Sequence, residues 1–185
     1  PSSPSHHDKM VERALYLDFW QDWVASGARV LDLGGGVGRF TDWLLRRGCA
    51  VELVDPDLRS LWRAVQTAAN LGRGAIDVHW STGERLPELC AVDVALLAEV
   101  LCYVEDPDAV LDRVHQTLRP DGVLLCSVEA RWGCSMAADV AEGTVGALLS
   151  DGVVHVPGDR WVRTFTGESF RDLLECGGFE VISMQ

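Results

Sequence analysis

Apolar residues are spaced along the chain in two alternating ways: short runs of strand length, and longer stretches in which they recur every three or four positions. Residues 8–23 place Val11, Ala14, Leu15, Phe19, Trp20 and Trp23 close to a helical period, which predicts a first amphipathic helix broken at Ser26 and Gly27. Residues 29–33 read as a buried strand running straight into glycines. A helix over 40–47 follows, with Phe40, Trp43 and Leu44 inward and Gly48 suited to a left-handed cap. Residues 50–55 predict a second strand and Pro56 its exit. The next helix, 58–71, sets Leu58, Leu61, Trp62, Val65 and Ala69 on one face, so that Trp20, Trp43 and Trp62 all fall on core faces.

Residues 76–80 and 92–98 predict a third and a fourth strand, the fourth apolar enough to be buried on both faces. Asp106 and Pro107 open a helix with an aspartate cap and a proline in its first turn, and Val110, Leu111, Val114 and Leu118 face inward. A turn over 119–122 leads to a fifth strand, 123–128. This alternation predicts an α/β fold: a doubly wound, mostly parallel sheet with helices on both faces. Past Glu129 the pattern changes. Residues 130–149 are rich in small residues and predict one helix or two loosely packed ones; 153–156 and 161–165 predict a β-hairpin turning at 157–159. Residues 130–165 thus form a cap and hairpin inserted after the fifth strand. Thr166 caps a last helix bearing Phe170, Leu173 and Leu174, and 179–184 predict a final strand. A length of 185 residues suits one domain, 1–185.

Composition narrows the class of partner. With 48% hydrophobic and 24% charged residues the chain has the balance of a globular protein. No apolar run has the length of roughly 18 to 20 residues that spans a bilayer, and no basic stretch leads into an apolar one, so the expectation is a cytoplasmic protein without membrane contact. The 28 acidic and 16 basic residues give a net charge of −12, whose average field repels phosphate backbones; nucleic acid is not an expected partner. Six cysteines, Cys49, Cys90, Cys102, Cys126, Cys134 and Cys176, form no C-x-x-C pair and find no histidine to complete a zinc set. They read as free, mostly buried thiols, with no metal site expected.

Candidate chemistry concentrates at the first strand. In an open α/β sheet a ligand sits outside the carboxyl ends of the strands, where strand order reverses. Gly34, Gly36 and Gly38 let the backbone approach a ligand closely, and the helix after them offers free N–H groups. The dinucleotide fingerprint G-x-G-x-x-G needs glycine where the chain has Arg39. The spacing is G-x-G-x-G instead. Asp55 ends the second strand seventeen residues beyond Gly38 (55 minus 38), where a carboxylate can accept from both hydroxyls of a ribose.

The run from Val30 to Gly38, with Asp32 two residues before Gly34, resembles the first motif of class I S-adenosylmethionine-dependent methyltransferases. Residues 93–107 and 118–124 look like the fourth strand, helix and fifth strand of the small-molecule branch that includes ubiquinone-biosynthesis O-methyltransferases, and 165–179 are similar to that branch's last helix. The resemblance covers 30–184 apart from the insert. It implies a Rossmann-like fold, S-adenosylmethionine as cofactor with S-adenosylhomocysteine as product, and methylation of an oxygen, nitrogen or carbon of a small-molecule acceptor in metabolite or natural-product biosynthesis. Carried over, Asp32, Gly34, Gly36 and Gly38 form the donor loop with Gly34 against the methionyl part, Asp55 holds the ribose, and Ala98 offers its backbone. Thr82 and Gly83 lie in a segment where relatives place an aspartate against the adenine amino group; here the Thr82 hydroxyl would accept instead.

A sulfonium methyl is already electrophilic, so the protein mainly aligns acceptor, methyl and sulfur. A hydroxyl acceptor also needs a base for its proton. Glu99 and Glu129 follow the fourth and fifth strands and face the cleft, Tyr103 lies beside them, and His155 sits in a hairpin over the mouth. Trp132 and Trp161 of the insert suit an apolar acceptor pocket. Relatives add a further antiparallel strand after 179–184; the hairpin is expected to pack beside the sheet, and an open apolar edge invites a homodimer. Two alternatives compete: a non-catalytic cofactor-binding module of the same fold, and an NAD(P)-dependent oxidoreductase.

Overall fold

The structure is a computed structural model that describes residues 6–71, 75–135, 144–150, 152–155 and 161–185. Among these, the strands β1 (Arg29–Leu33), β2 (Ala50–Asp55), β3 (Ala75–Trp80), β4 (Val92–Ala98) and β5 (Leu118–Ser127) form one parallel sheet in the order β3-β2-β1-β4-β5. Strand order reverses between β1 and β4, which opens a crevice at the carboxyl end of β1.

Successive strand residues point to opposite faces, and each face has its own core. Val30, Val51, Leu53, Val94 and Leu96 pack under α1 (His6–Trp20), α2 (Thr41–Arg46) and α3 (Leu58–Leu71). Leu31, Leu33, Val54, Ala95 and Leu97 pack under α4 (Pro107–Thr117) and α7 (Gly167–Cys176). This is the doubly wound α/β arrangement that the periodicity predicts. The caps follow the sequence: Asp106 accepts from the Ala109 N–H, and Thr166 and Ser169 form a reciprocal capping box at the start of α7.

Three expectations are corrected. Helix α1 turns Trp20 and Phe19 inward as predicted, but Tyr16 and Leu17 join them, and the predicted Val11, Ala14, Leu15 and, just past the helix, Trp23 are exposed, so the buried stripe is shifted. On α3 the buried stripe is Leu61, Ala64 and Ala68, and Trp62 is 64% exposed rather than in the core. Close approach explains this phase: a Cβ at Gly38 would lie 3.3 Å from the Ala64 Cβ, so a small side chain must face the glycine loop. Residues 179–185 form no strand. Phe179 turns its ring edge-on to His115 at 5.3 Å, and Phe179, Val181 and Met184 pack against the α4–α7 core, which satisfies their apolar surface without a sheet ladder. Of the described cysteines, Cys90 and Cys176 are exposed, Cys49 and Cys102 buried.

Strand β5 starts earlier than the turn residues suggest. Leu118 pairs with Val92 and Val123 with Val94, so residues 119–122 are a bulge within the strand, with Asp121 at φ +63°. Beyond β5 stand the short helices α5 (Arg131–Ser135) and α6 (Thr144–Leu149), then β6 (Val153–His155) and β7 (Trp161–Arg163), an antiparallel pair. The predicted turn at 157–159, like most of 130–149 between the two helices, lies outside the described residues. The hairpin does not join the main sheet as a strand, yet it lies against its carboxyl end. The Arg163 N–H donates to the Cys102 carbonyl (2.9 Å), and Phe165 bridges in parallel to Ala130, just past β5.

Candidate functional site

The loop after β1 is fixed from three sides. The Gly34 N–H donates to the Val54 carbonyl (2.7 Å), carrying the β1–β2 pairing one residue past the strand, and the Gly38 N–H closes a turn on the Gly35 carbonyl (2.9 Å). Gly34 and Gly36 have φ of +66° and +56°, the left-handed region that side chains resist. A Cβ at Gly34 would stand 2.6 Å from Val100 Cγ2, which shows how tightly the loop abuts the segment after β4. At Gly36 the situation is opposite. A Cβ there would meet nothing nearer than the Asp55 Oδ2 at 4.0 Å, so Gly36 lines open space.

Two carboxylates stand at the loop, and only Asp55 borders that space. Asp55, at the end of β2, is buried; its Oδ2 accepts the Gly36 N–H (2.9 Å) and its Oδ1 the Asp57 N–H (2.8 Å). Each oxygen has two lone pairs, so both keep acceptor capacity. Asp32 lies under the loop, 1% exposed; its Oδ2 accepts the Thr41 hydroxyl (2.7 Å), and its Oδ1 has no protein partner. Burial pushes the Asp32 carboxyl up to about 6 against the pull of the Thr41 hydrogen bond, with the Asp55 charge adding to the rise.

At the ends of β4 and β5 the parts are side chains. Ala98 pairs with Ser127, and the Glu99 N–H reaches back to the Ser127 carbonyl (3.0 Å) and hydroxyl (3.2 Å). Glu99 adopts φ +61°, a conformation that costs a residue with a Cβ on the order of 1 to 2 kcal/mol and is found where the surroundings enforce it. The Tyr16 hydroxyl of α1 donates to Glu99 Oε1 at 3.4 Å. Glu129, half-buried, donates its N–H to the Cys102 sulfur (2.9 Å). Burial is the main cause that pushes the Cys102 thiol up to about 12, and the negative fields of Glu129 and Glu99 both reach it. Glu99 and Glu129 therefore flank one short segment, as their strand-end positions predict.

The remaining candidates are less close. Tyr103 is 44% exposed just beyond Cys102. His155 is exposed and cross-strand from Trp161 in the hairpin. Thr82 is exposed before a 3-10 turn, Gly83–Arg85, and its carbonyl takes the Arg85 N–H (3.2 Å). Gly83 turns its missing side chain toward Val110 at 3.0 Å, so its smallness serves the packing of α4. No group of three or more His, Cys, Asp or Glu among the described residues is arranged to hold a metal ion. Nor, among them, is any helix long and apolar enough to cross a membrane.

Comparison with known proteins decides what this loop belongs to. A family model described as a methyltransferase domain matches residues 8–184. A ubiquinone biosynthesis O-methyltransferase of Cereibacter sphaeroides is 31% identical over 178 residues, covering 93% of this chain and 70% of that relative. The chain belongs to the class I S-adenosylmethionine-dependent methyltransferases. An uncharacterised methyltransferase of Mycobacterium tuberculosis is 38% identical over 110 residues, which is 56% of this chain and 41% of that protein; the chain thus matches less than half the length of that relative. A putative S-adenosylmethionine-dependent methyltransferase structure from Listeria monocytogenes superposes with a TM-score of 0.72 at 19% identity, over 94% of this chain and 84% of that one, and shares the methyltransferase fold.

The family's cofactor carries a ribose, and the site suits one. The Asp55 carboxylate borders the open space at Gly36 with acceptor capacity left over, while Asp32, sealed beneath the loop against Gly35, keeps one unpartnered oxygen. Sequence reasoning missed Thr41, Ser127 and Tyr16. Thr41 could have been found, since it is nine positions from Asp32 in the same strand–loop–helix unit. Tyr16 carried no such signal, being 83 positions from Glu99.

Proposed function

We propose that this methyltransferase-family chain transfers the methyl group of S-adenosylmethionine to a small-molecule acceptor, in metabolite or natural-product biosynthesis. The observation that carries the reading is the Gly36 N–H fixed on Asp55 beside open space, with the unpartnered Asp32 oxygen beneath the loop. When bound, the cofactor supplies an electrophilic methyl group on sulfur. The chain's own work is then chiefly to hold: Asp55 accepts from the ribose hydroxyls, the Gly34 and Ala98 backbones receive the methionyl part, and the Thr82 hydroxyl accepts from the adenine amine. Alignment of acceptor, methyl and sulfur within about 3 to 3.5 Å supplies much of the acceleration. For a hydroxyl acceptor, Glu99 or Glu129 takes the proton at the ends of β4 and β5. A small acceptor is favoured by the net charge of −12, which repels nucleic acid, and by the exposed Trp132 on α5 beside the β5 end. Methylation of oxygen is supported by the likeness to the O-methyltransferase of Cereibacter sphaeroides.

Titration calorimetry with S-adenosylhomocysteine and, separately, with NADH tests the reading: the first binds and the second does not. Binding of NADH alone would end it. The variant Asp55→Ala is expected to lose about 1 to 3 kcal/mol of S-adenosylhomocysteine binding, roughly five- to 150-fold in affinity. Unchanged affinity would place the ribose elsewhere. Mass spectrometry of cell extract incubated with methyl-labelled cofactor identifies the acceptor.

A further inference from the structure

Glu99 is held more firmly than a strand-end acid needs to be. Its backbone sits at φ +61° with the N–H shared between the Ser127 carbonyl and hydroxyl, and its Oε1 accepts from Tyr16. Tyr16 is itself braced. Its ring stacks on the buried Trp20 (4.8 Å between centroids, 6° between planes), and the Arg39 guanidinium lies 5.5 Å from the ring centre. Helix α1 is clamped to the glycine loop and α2 by Arg13 to Asp42 (2.7 Å), Arg13 to the Arg39 carbonyl (2.7 Å) and Glu12 to Arg39 (3.0 Å). Burial is the main cause that pushes the phenol up to about 12, against a hydrogen bond with the Ser127 side chain; the charges facing it are Glu99 from the end of β4, Glu12 from its own helix and Arg39 from the loop. At neutral pH Tyr16 is therefore a fixed O–H donor.

Topology says what Glu99 faces. The order β2-β1-β4 sets Asp55 on one side of Gly34 and Gly36, and Glu99 on the other; the loop abuts Val100, the residue after Glu99. On the donor-site reading, with the ribose at Asp55, the side of the loop left for the 5′ substituent is the β4 side, where the loop meets Val100. In the donor that substituent carries the sulfonium. Loss of the methyl group leaves the sulfur neutral. We infer that Tyr16 is a positioning residue that holds the Glu99 carboxylate at the sulfonium end of the donor site, so that the site distinguishes the cationic donor from its neutral product. The inference rests on the donor-site reading above. Its value to turnover lies in release: a carboxylate beside the sulfur attracts the charged form and has no such hold on the thioether.

The test needs no acceptor. Sinefungin carries an ammonium where the donor has its methyl-sulfonium, and S-adenosylhomocysteine is neutral there. By titration calorimetry the wild-type chain is expected to prefer sinefungin by about tenfold, as one close charge pair in a partly screened site would give. E99Q removes that preference. Y16F, which keeps the ring and its stack, narrows the preference severalfold while S-adenosylhomocysteine affinity holds, a result that a merely structural role for the phenol would not produce. A full preference retained in E99Q overturns the charge-sensing role, and one retained in Y16F overturns the positioning role. If E99Q keeps the ratio while Asp55→Ala weakens both ligands equally, the donor site stands and this inference falls; if neither ligand binds the wild-type chain, both fall together.

Discussion

At the carboxyl ends of β1 and β2 the site is built from backbone and two acids whose partners are near in sequence: Thr41 and Asp32 are nine positions apart, Gly36 and Asp55 nineteen. At the ends of β4 and β5 it is built from side chains gathered from afar, Tyr16 and Glu99 being 83 positions apart and Glu99 and Ser127 twenty-eight. The difference teaches which part of a site a chain can carry as a local motif. A loop bound by its own strand–helix–strand unit keeps its geometry wherever that unit occurs, whereas a wall assembled across the fold depends on every helix that packs against it. The loop side of the site is local in this molecule and the Glu99 side is global.

The comparison breaks first if α1 is not part of the cooperative unit. Trp20, 2% exposed and stacked between Tyr16 and Phe40, is expected to cost about 3 to 5 kcal/mol of stability on change to Ala, read by chemical denaturation. A loss below about 1 kcal/mol would mean that the helix, and with it the Tyr16 contact to Glu99, is only loosely attached. Next is Asp32. Its folded-state carboxyl is raised from 3.8 to about 6, so the folded form binds the proton more tightly than the unfolded one. The associated stability is full below pH 3.8 and lost as pH rises through about 6, on the order of 3 kcal/mol. Denaturation curves at pH 4 and pH 7 should therefore converge in Asp32→Asn relative to wild type; an unchanged pH dependence would show that the loop does not desolvate this acid.

A smaller effect separates loop shape from loop contact. Gly36→Ala places a methyl group in open space at φ +56°, at a cost of about 1 to 2 kcal/mol in stability, and should lower S-adenosylhomocysteine affinity more than tenfold because the cradle is filled. If affinity holds, the ligand does not pass over Gly36. Smallest of all is Trp62→Ala. With Trp62 64% exposed, stability should change by no more than about 0.5 kcal/mol and binding not at all, measured by the same two methods.

The same distinction explains what could be read from residue order alone. Strands β1, β2 and β4 and helix α3 stand at their expected bounds because an uninterrupted apolar run or a clear helical period ends at Pro56, at the glycines or at a cap. The phase of a helix is a different matter. Trp62 and Leu15 are as apolar as the residues that turned inward, and what put Ala64 and Tyr16 inward instead was the height of the neighbouring loop and the position of Glu99. Residues 179–184 carry a strand's composition, yet Phe179 found a better partner in His115 than in an edge ladder. In the site, Gly34, Gly36, Asp32 and Asp55 lie within one strand–loop–helix–strand stretch, and the structure gathers them around the loop after β1. Gly83 was read for its segment, although its smallness answers to Val110.

The clamp between α1 and α2 has a consequence for the medium in which the protein works. Arg13, Asp42, Glu12 and Arg39 keep between 24% and 32% of their side-chain surface in water, so their attractions are open to mobile ions, whose screening length is about 8 Å at physiological ionic strength. The Gly36–Asp55 hydrogen bond is sheltered from that atmosphere. Added electrolyte therefore slackens the grip of α1 on the loop before it touches the loop itself, and the wall that carries Tyr16 becomes a part of the molecule tuned by dissolved salt.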